Sequence, residues 1–306
     1  MIEVKGLTKR FGAITALSDV SFSVERGQIV GFLGANGAGK TTTMDILCGC
    51  IGADKGSVKV AGIDVTEKPE AAKMHFGYLP DDPPLYTDMR VEEFITFVAK
   101  IHKVPSNLIK GRVTETLDKL SLGEVRKRLV GNLSKGFRQR VGLAQAIVHK
   151  PDVLIFDEPT EGLDPNQIIH IRELIRSLGG EHTILLSSHI LSEVQNTCDH
   201  IIIIHQGKII QQGTYEELAR KAHSGNDYRL VVARNSAKLV QEISKVAGVS
   251  DARVVNSELG KIEFSVLAGD EVVDQVARKV VDGNHGLKEL VLGTKSLEEV
   301  FFQLTH

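Results

Sequence analysis

The sequence predicts an α/β domain on a mainly parallel sheet, followed by a smaller α+β domain. Three observations predict it. Through the first 220 or so residues, short apolar runs alternate with helix-patterned stretches, the signature of strands joined by crossover helices. A glycine-rich segment, "GANGAGKTT", sits between one apolar run and one helix. Beyond residue 228 the order becomes strand, helix, strand, strand, helix, strand, which is the ferredoxin-like pattern.

From the N-terminus, "IEVKGLTKRF" and "SDVSFSVERGQ" read as strands with a glycine turn after the second. "IVGFLG" is a short apolar run ending at glycine, and a helix starts at Lys40. "GSVKVAGIDV" alternates as a strand does, and "FGYLPDDPPLY" is a strand entering a proline-rich loop that can continue neither helix nor ladder. From "VEEFITFVAK" to "VGLAQAIV" the spacing is helical, so residues from about 90 to 148 form an inserted helical subdomain. "DVLIFDEP" and "HTILLSSH" are strands of the fully buried kind, with "NQIIHIRELIRSL" a helix between them. "HIIIIHQGKIIQQG" reads as a hairpin and "TYEELARKA" as a helix closing the domain at 221. "AHSGND", 222–227, is a linker by composition. The second domain, 228–306, runs through "YRLVVA", "AKLVQEISKVA", "ARVVNS", "KIEFSVL", "EVVDQVARKVV" and "LKELVLG" to a last helix, "SLEEVFFQL".

A length of 306 residues fits about two domains. A net charge of -2 gives no basic field for nucleic acid, and the absence of Trp removes an obvious base-stacking platform, so no nucleic-acid partner is expected. Three cysteines, Cys48, Cys50 and Cys198, make neither a disulfide framework nor a four-ligand metal set. The plainer reading of "CGC" is small buried residues at a helix end. The charged start lacks an apolar signal core. No window reaches the ~18 apolar residues of a membrane span, so a membrane role has to come through a partner.

The chemistry gathers at strand ends. Residues Gly34 to Thr42 fit G-x-x-x-x-G-K-[ST], with Gly34, Gly39, Lys40 and Thr41 in the fixed positions and Ala35, Asn36, Gly37 and Ala38 between them. Glycines let backbone amides converge on phosphate oxygens, and the following helix N-terminus adds positive dipole. Lys40 is a point charge for the β- and γ-phosphates, and Thr41 offers a hydroxyl to Mg²⁺. "VLIFDE" ends a buried strand in two acids: Asp157 is placed for the Mg²⁺ shell and Glu158 for positioning water. "LLSSHI" brings His189 to a third strand end. In "LSKGFRQR", Ser134 precedes an apolar helix as an N-cap would, leaving free amides that suit either a plain capped helix or an anion.

With Gly34–Thr42, "LSKGFRQR", "VLIFDEPT", "EGLDP" and "ILLSSH" in this order, residues 1 to about 220 resemble an ABC-transporter ATP-binding subunit. The likeness is closest to subunits of the ABC-2 exporters, including gliding-motility, drug-resistance and sodium-export groups. It implies a P-loop NTPase domain of ABC type, with an N-terminal antiparallel β-subdomain and the inserted helical subdomain. It further implies that two such domains sandwich two ATP molecules, each phosphate loop facing the other subunit's signature motif. Phe11 would then stack on adenine, Glu158 act on the attacking water, and His189 contact the γ-phosphate. Ser134, Lys135 and Gly136 would face the partner's nucleotide, and Asp164 would lie at the dimer seam. The plainer readings are a core aromatic for Phe11, a solvent-facing Lys135 and a turn acid for Asp164. Two departures stand out. Asp81 replaces the usual Gln after "GYLP", keeping a hard oxygen for Mg²⁺ on a shorter, charged side chain. The common Leu-Ser-Gly-Gly-Gln is here Leu-Ser-Lys-Gly-Phe.

The resemblance implies ATP and Mg²⁺ as ligands, a homodimer or paired ATPase subunit, and a separate permease docked near the Asp81–Tyr86 loop and the helix bearing Phe94 and Phe97. It places the chain in the cytoplasm, peripheral on the inner face of the membrane. The alternatives are a soluble ABC ATPase acting on ribosomes or nucleic acid, and a P-loop kinase or GTPase.

Overall fold

The computed structural model describes residues 1–222, 226–234, 236–256, 261–266 and 270–292. The chain divides into two compact units, Met1–Thr214 and Tyr215–His306.

In the first unit, strands β1 (Ile2–Phe11), β2 (Ile14–Val24), β4 (Lys55–Val60) and β5 (Ile63–Asp64) form an antiparallel sheet in the order β2-β1-β4-β5. A second sheet has the order β10-β9-β3-β8-β7-β6. It uses β3 (Ile29–Leu33), β6 (Phe76–Leu79), β7 (Val153–Phe156), β8 (Thr183–Ser188), β9 (His200–His205) and β10 (Lys208–Gly213). All its pairings are parallel except β10 on β9. Strands β3, β7 and β8 are buried at every position, as apolar runs covered on both faces must be.

Helix α1 (Lys40–Leu47) is packed by both sheets: Met44 and Leu47 share one core with Phe22 and Val58 of the antiparallel sheet and Phe32 and Ile155 of the parallel one. This core holds the start of α1 at the carboxyl edge of β3. Short helix α2 (Pro69–Lys73) precedes β6. Helices α3 (Val91–Ile101), α4 (Ser106–Lys119) and α5 (Lys135–Ile147) make up the inserted subdomain, with two 3₁₀ turns before α5. Helix α5 lies directly on β6, where a Cβ on Gly77 would fall 1.9 Å from the Ala146 carbonyl oxygen. Helix α6 (Pro165–Leu178) links β7 to β8. Helix α7 (Leu191–Thr197), which the sequence pattern did not reveal, packs Val194 against Gly31 of β3.

The second unit begins with α8 (Tyr215–Ala222), which the sequence reading gave to the first domain. Then come β11 (Asn226–Val232), α9 (Ser236–Ile243), β12 (Val249–Asn256), β13 (Lys261–Val266), α10 (Asp270–Asp282) and β14 (Leu287–Leu292). The sheet is antiparallel in the order β12-β13-β11-β14, which is the ferredoxin-like arrangement. Leu230, Ile262 and Phe264 meet Leu239, Ile243 and Val276 in its core. Residues 223–225 of the linker "AHSGND" and the last helix "SLEEVFFQL" lie outside the described residues. Among the described residues no helix is long and apolar enough to cross a membrane.

Candidate functional site

The phosphate loop joins β3 to α1. Gly37 and Gly39 have φ of 80° and 107°, a left-handed backbone that L side chains resist. At Gly39 there is also no room: a Cβ would lie 2.7 Å from Leu17 Cδ2 and 2.9 Å from the Ala16 carbonyl oxygen. Only a residue without a Cβ can therefore bring the loop this close to Ala16 and Leu17. Lys40 is almost fully buried, and its ammonium donates to the Gly34 carbonyl at 2.8 Å and the Ala35 carbonyl at 3.2 Å.

The parallel sheet delivers its partners. Glu158, just past β7, holds a left-handed φ of 45°, a strained conformation for a non-glycine residue. Its Oε1 lies 3.2 Å from Lys40 Nζ. Its Oε2 lies 3.0 Å from Nδ1 of His189, just past β8. Ser187 fixes the two acids together: its hydroxyl donates to Asp157 Oδ1 at 2.5 Å and accepts from the Glu158 amide at 2.9 Å. Burial pushes the Asp157 carboxyl up, opposed by the hydrogen bonds from Ser187 and Thr41. Lys40, Thr41, Thr42, Asn36, Asp81 and Glu158 line one cleft. Buried Asp157 with the Thr41 hydroxyl on it is a hard-oxygen pair of the kind Mg²⁺ takes, and the buried ammonium beside open loop amides suits a phosphate chain.

The remaining candidates are dispersed. Phe11 ends β1 half exposed, with the Lys9 ammonium 5.4 Å from its ring centre, so it is not a core aromatic. Ser134 caps α5, accepting from the Phe137 amide at a long 3.5 Å. Gly136 is buried against α6, where a Cβ would meet Gln167 Oε1 at 2.6 Å. Asp164 caps α6 ahead of Pro165, accepting from the Gln167 amide at 3.0 Å. Lys135 is exposed, in keeping with the solvent-facing reading, and its ammonium rests over Gly162 of its own chain. Phe137 packs its ring under the Arg140 guanidinium at 5.6 Å. Phe94 is fully buried in the core, while Phe97 is half-buried beneath exposed Tyr86. Cys48 is buried at the end of α1 but Cys50 is exposed, so only one fits the small-buried reading.

Two residues of the site escaped the sequence reading. Ser187 was legible only as a polar residue closing an apolar strand. Glu161 brings a carboxylate oxygen into a group with Glu158 and His189 in which all ligand atoms lie within 4.8 Å of one another. Its signal was its place, an acid in the turn directly after the strand-end pair.

Comparison with known proteins points the same way. The family model described as ABC transporter matches residues 17–161. The linearmycin resistance ATP-binding protein LnrL of Bacillus subtilis is 31% identical over 306 residues, covering 100% of this chain and 98% of the relative. The bacitracin transport ATP-binding protein BcrA of Bacillus licheniformis is 35% identical over 244 residues, 79% of each. A solved ATP-binding subunit of an ABC transporter is 32% identical with a TM-score of 0.67, over 72% of this chain and 92% of that one. The kinase and GTPase readings fall away, and the ribosome-acting alternative gains no support. A phosphate loop, a strand-end acid pair and a strand-end histidine linked through Glu158, in a chain matched along its whole length, make this protein an ATPase of the ABC-transporter ATP-binding subunit family.

Proposed function

We propose that this chain drives an exporter: it binds ATP with Mg²⁺ between its phosphate loop and the signature helix of a second subunit, and passes the closure on to a separate membrane permease. The single observation that supports the site roles is the Lys40–Glu158–His189 chain of contacts, 3.2 and 3.0 Å, at the mouth of the phosphate loop. Lys40 exchanges its bond with Glu158 for the β- and γ-phosphates. The Glu158 carboxylate, held by His189 and by its strained backbone, then orients water in line with the γ-phosphate. Thr41, Asp157 and Asp81 would hold Mg²⁺, which when bound supplies neutralising charge at the phosphate oxygens. Phe11, half exposed at the end of β1, offers its face to the adenine. Ser134, Lys135 and Gly136 present the free amides of α5 to the partner's γ-phosphate, and Asp164 lies at the seam.

Export is supported by the roles of two relatives, LnrL in linearmycin resistance and BcrA in bacitracin transport. We assign the ATPase role to the unit Met1–Thr214 and an accessory role to the unit Tyr215–His306. A cleft lined by Tyr78, Pro80, Asp82, Pro84, Ile101 and His102 is the place for a permease segment, which would set the chain on the cytoplasmic face of the membrane. Purifying the tagged chain from solubilised membranes tests this. A polytopic membrane protein is the expected companion; ribosomal proteins with no membrane protein would overturn the reading. Deleting 228–306 and measuring ATPase, dimerisation and export separates the accessory roles.

A further inference from the structure

Lys135, Asp81 and Glu161 come from three separate stretches, and the fold brings them to one place. Lys135 opens α5 in the helical subdomain. Its side chain crosses to the loop after β7, where a Cβ on Gly162 would lie 2.2 Å from Nζ and 3.3 Å from Cε. Gly162 has φ 68°, so the loop bares its backbone there and the ammonium occupies the space a side chain would take. The next residue back is Glu161, which lines the nucleotide cleft together with Asp81. Asp81 also lines a second cleft with Lys135 and Arg138. It is the wall the two clefts share. Glu161 and Lys135 act on the Asp81 charge with opposite sign.

The charge balance is uneven without Lys135. In the cleft, Glu158 has Lys40 as its counter-ion at 3.2 Å. Among the described residues neither Asp81 nor Glu161 has an ion-pair partner within 4 Å. Two carboxylates thus line the nucleotide cleft with no salt bridge within 4 Å, and Lys135, over Gly162 and on the second cleft that Asp81 shares, is the cation whose field reaches Asp81. Two departures from the family pattern seen in the sequence, a lysine for glycine and an aspartate for glutamine, are complementary in charge and line one cleft at the joint between subdomain and core.

We propose that Lys135 is a positioning residue that serves its own subunit: it is the resident counter-cation of the Asp81–Glu161 mouth and sets how far nucleotide binding depends on Mg²⁺. The inference rests on the proposed ATP-binding role of the cleft. Without Lys135 the mouth repels the bare triphosphate and favours the metal-bound form, because an uncompensated carboxylate pair acts over several ångströms in a partly wet cleft.

The test is a titration of trinitrophenyl-ATP, followed by fluorescence, in EDTA and in Mg²⁺. The readout is the ratio of the two Kd values, which a loss of packing would not move in a defined direction. Lys135→Gln raises the ratio on the order of three- to tenfold. Lys135→Arg leaves it near the wild-type value. In an Asp81→Asn, Glu161→Gln background, Lys135→Gln no longer raises it. An unchanged ratio in Lys135→Gln, or the same rise in the carboxylate-free background, overturns the proposal. Failure of the wild-type chain to bind the nucleotide at all would instead overturn the parent reading.

Discussion

His149 carries a pH dependence whose size is set by its surroundings. It lies past the end of α5, 9% exposed, with Nε2 3.1 Å from the Phe76 carbonyl oxygen. Its ring is stacked on His102 with centroids 3.7 Å apart, and buried Nδ1 has no hydrogen-bond partner. With Nε2–H donating to Phe76, a second proton on Nδ1 would be a buried donor with nothing to accept it. Burial, then the neighbouring His102, push the imidazole from its ordinary 6.5 to about 4. The folded-state value lies below the unfolded one. The associated stability is therefore full above about pH 6.5 and is lost as pH falls toward 4. At 1.36 kcal/mol per unit, the whole window is worth on the order of 3 kcal/mol, and about 2 kcal/mol of it is gone by pH 5. The assay compares wild type with His149→Gln by urea denaturation at pH 7.5 and pH 5, following a probe in the first unit. The variant keeps a donor for Phe76 but cannot titrate. The stability gap between the two proteins narrows by about 2 kcal/mol at pH 5. An equal gap at both pH values would refute the argument that neutral His149 is built into the fold.

Three other substitutions probe the site and its support. Lys40→Ala removes a buried ammonium that holds two loop carbonyls and Glu158; nucleotide affinity falls roughly 10- to 100-fold, as loss of a charged hydrogen bond would give, and an unchanged titration contradicts it. Ser134→Arg fills the space before the α5 amides, so ATPase activity is lost while nucleotide still binds the phosphate loop; an unaltered rate reduces Ser134 to a plain helix cap. Gly77→Ala drives a methyl group to 1.9 Å from the Ala146 carbonyl, costing about 2–3 kcal/mol by overpacking, seen as a fall in thermal midpoint; an unshifted midpoint would mean β6 and α5 are less tightly joined.

Much of this was readable from residues because the site is made of short, contiguous signals. Strands that are apolar on both faces, such as "VLIF" and "TILLSS", can only be interior. The residues directly after them must then appear at the sheet edge, where Asp157, Glu158 and His189 stand. Helix α7 was hidden because seven residues give too little periodicity, and its place is fixed by Val194 packing on Gly31. Ser187 was hidden because a serine inside an apolar strand says nothing of whom it bonds. Lys135 had two readings from sequence. Only the fold, by setting the bare backbone of Gly162 beneath it, gives the side chain a place within its own chain.

The catalytic assignment rests most heavily on Glu158, and Glu158→Gln tests it most directly. The amide keeps the size of the side chain and a partner for His189 Nδ1, but it can neither pair with Lys40 as an anion nor accept a proton. Phosphate release should fall by ~10²–10⁴, the usual share of a general base, or about 3–5 kcal/mol in barrier. ATP binding should persist, with an ATP-dependent dimer accumulating in light scattering. Hydrolysis at the wild-type rate by this variant would contradict the account.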